Sequence, residues 1–122
     1  MSADINSHVR TKRWRTYLET IEDALDWEVQ RDGGALVFFS INYRTLWGEN
    51  WVEVCRYDTC HGFLHIHRFW RNPADQTDEL PRSRIPVENY RAAFVAAADD
   101  LVANWHKYKR LRLLKERGEA KR

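Results

Sequence analysis

The sequence contains few cysteines and no long apolar run. Only 2 cysteines and 3 prolines occur among its 122 residues. A small secreted domain held together by disulfides usually has more cysteines, so Cys55 and Cys60 favour two reduced thiols in the cytoplasm. No stretch of about 18 apolar residues predicts a transmembrane helix, and residues 1–8 lack the basic and then apolar order of a signal peptide. We therefore expect a soluble cytoplasmic protein.

The chain does contain enough apolar side chains to fold. Its residues are 43% hydrophobic and 13% aromatic, whereas disordered chains have too few such groups to form a core. The length lies in the usual range for one domain, and no repeat, low-complexity tract or long linker divides the chain. These features predict one α+β domain over residues 1–122, able to form a homodimer through exposed apolar surface. Nothing in the composition calls for a cofactor.

The charge is small in total and uneven along the chain. The net charge is +2, but residues 1–15 carry +3, residues 105–122 carry +6 and the middle carries −7. Basic ends of this kind attract phosphates, an acidic protein partner or the acidic middle of the same chain. The basic residues that we expect to contact nucleic acid are Arg44, Arg68, Arg71, Lys109, Arg110, Arg112 and Lys115.

The first segment has a helical pattern. Its apolar residues recur at steps of three and four, which would place them on one face of a helix. They are Trp14, Tyr17, Leu18, Ile21, Ala24 and Leu25. Charged residues fall on the opposite face, as in a helix that lies on a core. The spacing predicts a helix over about residues 10–25, with Trp14 in the core.

The middle of the chain has a strand pattern. Segments 27–31, 35–44, 51–58 and 63–70 are rich in β-branched and aromatic residues, and turn sequences separate them at 32–34, 47–50 and 59–62. Alternation places Phe39, Ile41 and Tyr43, with Val37, on one face and leaves polar residues on the other. These features predict a four-stranded antiparallel meander with one wet side.

The last third predicts a long helix packed on this sheet. Residues 72–84 read as an irregular connection, and Pro86 suits the first turn of a helix over about residues 87–115. An apolar arc runs along this helix and includes Phe94 and Trp105, which we expect in the core. Basic residues continue the arc beyond Tyr108, so the basic tail 109–122 is expected to leave the core.

Three of the five histidines lie within seven positions, at His61, His65 and His67. Imidazoles exchange protons near neutral pH, so His61 and His65 could act as base and acid on RNA. Arg56 would neutralise charge on the phosphate, and Asp58 would orient His61. This combination predicts a metal-independent ribonuclease.

Three other interpretations of the same segment stay open. Cys55 and Cys60 with His61 and His65 could bind zinc, although alternate residues of a strand lie about 7 Å apart. Aromatic residues and arginines alternate along the sheet, and bases stack on such groups, so the segment could bind RNA without cleaving it. A hydrogen-bonded turn without chemistry is the fourth interpretation.

The segment from Asn42 to Trp70 resembles a family of small uncharacterised prokaryotic proteins. The shared pattern is Arg-x-Asp-x-x-His-Gly-x-x-His, and its positions here are Arg56, Asp58, His61, Gly62 and His65. A fainter similarity connects the motif to proteins of toxin–antitoxin gene pairs, some of which act on RNA. The resemblance implies that Asp58, His61 and His65 work together, and that Cys55, Cys60 and His67 are incidental.

Together these features favour an RNA-associating domain. The alternatives are a metal-independent ribonuclease of toxin type and a protein-interaction module of a toxin–antitoxin-like pair.

Overall fold

The protein is an antiparallel β-sheet with one long helix on one of its faces. The computed structural model describes residues 8–80 and 89–120. Within them lie strands β1 (Val9–Tyr17), β2 (Asp23–Asp32), β3 (Ala35–Trp47), β4 (Asn50–Asp58), β5 (Leu64–Arg68) and β6 (Thr77–Leu80), and helix α1 (Tyr90–Ala120). The six strands form one sheet in chain order, and every neighbouring pair is antiparallel. The expected α+β class, antiparallel sheet and long C-terminal helix are confirmed.

The predicted helix over residues 10–25 is wrong, because this segment forms β1 and the start of β2. The two strands pair along the whole length of β1, from Val9 opposite Asp32 to Tyr17 opposite Ala24. The turn between them leaves Ile21 79% exposed, although the helical pattern had placed it in the core. The spacings of three and four arose by chance across two strands and a turn, and the pairing of β1 with the next strand, β2, outweighed the helical pattern.

The sheet has six strands in the described residues, two more than the predicted four-stranded meander. β1 adds one edge strand, and β6 lies inside the segment that was expected to be irregular. β2 begins at Asp23 rather than residue 27, and β5 ends at Arg68 rather than residue 70. The turn at Asp32 is confirmed, because Gly33 and Gly34 adopt φ of 57° and 93°, which glycine accepts without strain.

The core lies between α1 and one face of the sheet. Trp105 packs its ring edge against Tyr43, and Phe94 does the same against Phe39. Trp14 is half-buried and stacks on Trp27 with ring centroids 5.6 Å apart. The core residues from α1 and the sheet are Leu25, Val29, Phe39, Ile41, Tyr43, Val54, Cys55, Tyr57, Ile66, Ala97, Leu101 and Trp105.

Helix α1 begins with a side-chain cap. The Asn89 Oδ1 accepts a hydrogen bond of 2.9 Å from the Ala92 N–H, which satisfies one of the free donors of the first turn. Pro86 and residues 87 and 88 of the predicted helix lie outside the described residues. None of the described helices combines the length and the apolar character needed to cross a membrane.

The part of the predicted basic tail from Lys109 to Lys115 stays packed beside the sheet and does not leave it, whereas residues 121 and 122 of that tail lie outside the described residues. The helix continues to Ala120 rather than ending at residue 115. Lys109 Nζ lies 3.0 Å from Asp23 Oδ2, and Arg112 Nε donates to the Glu53 carbonyl at 2.8 Å. Lys115 Nζ donates to the carbonyl oxygens of Phe69 and Arg71, in the turn that follows β5. Long cationic side chains reach polar atoms beyond the apolar core and so extend the packed face of the helix.

The other face of the sheet carries polar side chains, and no described element lies over it. Directly paired residues of antiparallel strands share a face, so the register assigns the members of this open face. They include Thr11, Arg13, Arg15, Asp26, Glu28, Gln30, Phe38, Ser40, Asn42, Arg44, Glu53, Arg56, Asp58, His65, His67, Thr77 and Glu79. The expected wet side of the sheet is therefore present, and it holds the histidine cluster.

Candidate functional site

Asp58 is the centre of a polar cluster on the open face. It ends β4 opposite His65 of β5, and only 7% of its surface is exposed. Its Oδ2 accepts hydrogen bonds from His67 Nε2 at 2.8 Å and from Arg56 Nε at 3.3 Å. Its Oδ1 accepts from the Cys60 N–H at 3.2 Å. Both oxygens of this carboxylate are therefore held by the protein.

The environment of Asp58 favours its charged form. Burial by itself would raise the pKa of the carboxyl group. The hydrogen bonds from His67 and from the Cys60 N–H, with the positive charges of His67 and Arg56, outweigh this effect and lower the pKa. Asp58 is thus an anion at neutral pH.

His67 is fixed at both ring nitrogens. A carboxylate can only accept, so Nε2 carries the proton that is donated to Asp58. The other ring nitrogen, Nδ1, lies 2.9 Å from the hydroxyl oxygen of Thr77 and forms a second hydrogen bond with it. The ring also stacks between His65 and Phe69, with centroids 6.2 Å from each. Because both nitrogens are engaged, His67 orients its neighbours rather than exchanging protons with a ligand.

His65 has unused hydrogen-bonding capacity. Its Nδ1 is buried without a hydrogen-bond partner among the described residues, and it lies 3.5 Å from Asp58 Oδ1. Its Nε2 lies 3.8 Å from Glu79 Oε1. An imidazole between two carboxylates can take up and release a proton. Of the three clustered histidines, His65 has the geometry that best fits proton transfer.

The structure brings together Arg56, Asp58 and His65 of the predicted catalytic set and leaves His61 apart. His61 is exposed, in a short 3₁₀ turn at Cys60–Gly62, with a φ of 62°. Asp58 contacts His65 and His67 instead. His67, which the motif treated as incidental, completes the cluster. Its sequence signal was the period of two in β5, which places it beside His65 and opposite Arg56.

The proposed zinc ligands do not converge. Cys55 is fully buried on the helix side of the sheet, whereas His65 lies on the open face and Cys60 is exposed. Burial raises the pKa of the Cys55 thiol to about 12, which disfavours the thiolate that zinc requires. In residues 8–80 and 89–120, no group of three or more His, Cys, Asp or Glu side chains is arranged to hold a metal ion.

Four arginines surround a depression beside the Asp58 cluster. The depression has a volume of about 610 Å³ and adjoins the cluster through the strand pairs of Ser40 with Asp58 and of Asn42 with Arg56. Arg56 lies over the Phe69 ring, with its guanidinium carbon 5.6 Å from the centroid. The lining residues are Arg13, Trp14, Arg15, Asp26, Trp27, Glu28, Ser40, Asn42, Arg44 and Arg56.

Most basic residues that were predicted to contact nucleic acid have partners inside the protein. Arg44 pairs with Asp26, and Arg68 and Arg71 both pair with Asp78. Lys109, Arg112 and Lys115 hold the end of α1 on the sheet, as described above. Of the predicted set, Arg110 alone is exposed on the outer side of α1 without a described ion pair.

Three cations that the sequence had not singled out lie together at the first hairpin. Arg10, Lys12 and Arg31 line a hollow of about 490 Å³, and none of them forms an ion pair with another described residue. Arg10 is directly opposite Arg31 in the register of β1 and β2. The basic residues within 10–15 were the sequence signal for this feature. The predicted helix would have placed their side chains on different sides of the helix, so the cluster was missed. We call this feature the hairpin hollow; its other lining residues are His8, Thr11, Val29, Gly33 and Gly34.

The chain belongs to a family whose members share a domain of unknown function, DUF7718, and the match covers residues 9–118. The expected relationship to an uncharacterised family is confirmed in this general form. Comparison with curated proteins and with solved structures gives no match. The family carries no activity that could be transferred to these residues.

Proposed function

We propose that this DUF7718 domain associates with RNA and that the hairpin hollow contacts the phosphate backbone. The observation that supports the proposal is the convergence of Arg10, Lys12 and Arg31 without a described carboxylate beside them. Cations of this kind are free to replace the counterions of a polyanion. The faint resemblance of the motif to proteins of toxin–antitoxin pairs points to the same class of ligand.

The paired cations of the open face make a weaker case. Arg13 is bonded to Glu28, and Arg15 and Arg44 share Asp26. These carboxylates already balance part of the charge of the arginines, so a polyanion would displace fewer counterions there. The hairpin hollow lies at the edge of the sheet, on β1 and β2, and its cations Arg10, Lys12 and Arg31 have no described carboxylate partner. Backbone contact is therefore best supported at this edge.

The test compares the salt dependence of RNA binding between two charge-matched variants. In the first, Arg10, Lys12 and Arg31 are all replaced by alanine. In the control, Arg91, Lys107 and Arg117 are replaced, which removes the same charge from exposed positions of α1 that were not predicted to contact nucleic acid. The plot of log affinity against log salt should lose roughly two units of slope in the first variant, because each lost phosphate contact on a single strand removes about 0.7. The control should keep the slope of the wild type.

Equal slopes for the two variants would show that binding follows net charge and does not use the hollow. A wild-type affinity that does not change between 50 and 200 mM salt, the range of roughly 10³-fold loss for a multi-contact binder, would contradict RNA association altogether.

A metal-independent ribonuclease is the second candidate, and the position of the His65 ring favours it, since Nδ1 faces Asp58 and Nε2 faces Glu79. In this version His65 transfers the proton, Arg56 faces the phosphate, and Asp58 and His67 position them. Replacing His65 by alanine should abolish RNA cleavage, whereas replacing the exposed His61 should leave it intact. Loss of cleavage with His61→Ala but not with His65→Ala would reverse these roles, and no cleavage by the wild type would remove this candidate.

A protein-interaction module, including a homodimer, is the third candidate. Val95, Val102 and Leu114 are exposed on α1 by 49%, 58% and 54%. Sedimentation of the wild type and of Val102→Glu over a range of concentrations tests this candidate, because a contact through this part of α1 should be lost in the variant.

A cytoplasmic location also belongs to the proposal, and it is supported by the free thiols of Cys55 and Cys60.

A further inference from the structure

The depression on the open face has the charge of an anion site. Four arginines and two carboxylates line it, so its wall carries a net charge of +2. Its volume of about 610 Å³ lies within the range of roughly 300–1,000 Å³ that is usual for small-molecule sites. The feature is separate from the hairpin hollow, because Val29 in that hollow belongs to the helix side of the sheet.

The arginines of the depression are held in place and still have donors to spare. Arg13 is bonded to Glu28, and Arg44 to Asp26. Arg56 is bonded to both Glu53 and Asp58. A guanidinium group has five N–H donors, and these contacts use one or two of them on each residue. The carboxylates thus fix the arginines in advance, which reduces the entropy that is lost when a ligand binds.

Asn42 supplies an acceptor in the same wall. It is 5% exposed, and its Nδ2 donates to Glu53 Oε2 at 3.0 Å. Because a carboxylate cannot donate, this bond fixes which end of the amide is nitrogen. The remaining Oδ1 is buried and has no hydrogen-bond partner among the described residues. Buried polar atoms are nearly always satisfied, so this oxygen marks a place for a donor from outside the chain.

We infer that the depression binds a small ligand that has one anionic group, a phosphate or carboxylate, and an N–H or O–H donor. Arg44 and Arg56, which flank Asn42 on β3 and β4, bind the anion, and Asn42 Oδ1 accepts the hydrogen bond from the donor. The inference goes beyond RNA association, since it concerns a different face of the sheet. It also places the ligand next to the Asp58 cluster, because Ser40 and Asn42 pair with Asp58 and Arg56.

The test titrates the full-length protein with inorganic phosphate, adenosine and adenosine 5′-monophosphate. Calorimetry gives the affinities, and NMR follows the side-chain NH₂ signal of Asn42. The nucleotide, which has both groups, should bind more tightly than either partial probe and should shift the Asn42 signal. Arg44→Gln should weaken phosphate and nucleotide by roughly tenfold or more, as expected for a charge-assisted bond. Asn42→Ala should reduce the preference for nucleotide over phosphate by about tenfold.

Two controls separate this site from the rest of the molecule. Arg91→Gln removes an exposed arginine of α1 that lies outside the depression, and it should leave all affinities unchanged. The alanine variant at Arg10, Lys12 and Arg31 should lose affinity for RNA but keep the wild-type affinity for the nucleotide. The two measurements therefore test the nucleotide site and RNA association independently of each other.

Absence of saturable binding by all three probes would overturn the inference, as would an unchanged preference in a folded Asn42→Ala variant. If that variant does not fold, the wild-type titration decides, because an unmoved Asn42 signal at saturating nucleotide contradicts the role of its Oδ1.

Discussion

The Nε2 of His67 lies 2.8 Å from the Oδ2 of Asp58 and connects the end of β4 to the neighbouring strand β5. The same carboxylate accepts the Cys60 N–H at the start of the turn that joins the two strands. One buried side chain therefore holds both the turn and the strand that follows it. Asp58 therefore has a structural role.

Replacing Asp58 by alanine should lower the free energy of unfolding by about 2–4 kcal/mol, because His67, Arg56 and the Cys60 N–H lose their common acceptor. Urea unfolding of Asp58→Ala measures this loss. Asp99→Ala, which removes an exposed carboxylate from α1, is the control and should change stability by less than about 0.5 kcal/mol. A similar small change in Asp58→Ala would mean that the cluster does not stabilise the fold.

Stability should fall in acid because buried carboxylates have lowered pKa values. For Asp23, burial would raise the pKa, but hydrogen bonds from Tyr43, Thr45 and Lys109 outweigh it and lower the pKa. The pKa of Asp58 is also lowered. A carboxyl group whose pKa is lowered in the folded protein contributes its full stabilisation when the pH is above its ordinary pKa of 3.8. This contribution is lost as the pH falls through the pKa of the folded state.

Melting temperatures measured from neutral pH downwards should therefore decline most steeply below about pH 4. Asp23→Asn should be less stable than the wild type at neutral pH and should show a shallower decline. A variant curve that runs parallel to that of the wild type would contradict the lowered pKa.

Two lysines two residues apart on α1 should respond differently to replacement by alanine. Lys109 is paired with Asp23, whose side chain is 0% exposed, so its removal leaves a buried charge without its cation. We expect Lys109→Ala to cost about 3 kcal/mol or more in the free energy of unfolding. Lys107 is exposed, and its replacement should change stability by less than about 0.5 kcal/mol. Equal effects would contradict the docking of the basic end of α1.

The two cysteines should react with a thiol reagent at very different rates. Cys60 is exposed, whereas Cys55 is buried and burial raises its pKa to about 12. In the native protein one thiol should be modified quickly, and the second only in denaturant, because the thiolate is the reactive form. Mass spectrometry after digestion identifies the residue. Rapid modification of both thiols in the native state would show that the core around Cys55 opens.

The sequence predicted the strands best where local chemistry determined them. Asp32-Gly33-Gly34 fixed a hairpin, and alternation along β3 placed Phe39, Ile41 and Tyr43 on the core side. The segment at residues 10–25 misled, because apolar spacing alone does not distinguish a helix from two strands joined by a turn. Trp14 of β1 lies opposite Trp27 of β2. The spacing of apolar residues within residues 10–25 carries no information about this contact, because Trp27 lies outside that segment.

The candidate site was predicted in part for the same reason. Arg56, Asp58 and His65 were correctly grouped, since their motif lies on two adjacent strands. His67 replaced His61 because strand register, and not spacing in the motif, determines which side chains meet. Asn42 and Ser40 joined the site from β3, and only the pairing of β3 with β4 could show that.

The order of the strands in the sheet has a consequence for biosynthesis. Each strand pairs with the next one along the chain, so the sheet can form from successive hairpins without closing long loops. Its apolar face, however, is covered by α1, which the ribosome makes after all six strands. Until residues 90–120 emerge, that face is exposed to other apolar surfaces, and nascent chains that stop short of α1 should aggregate or recruit chaperones.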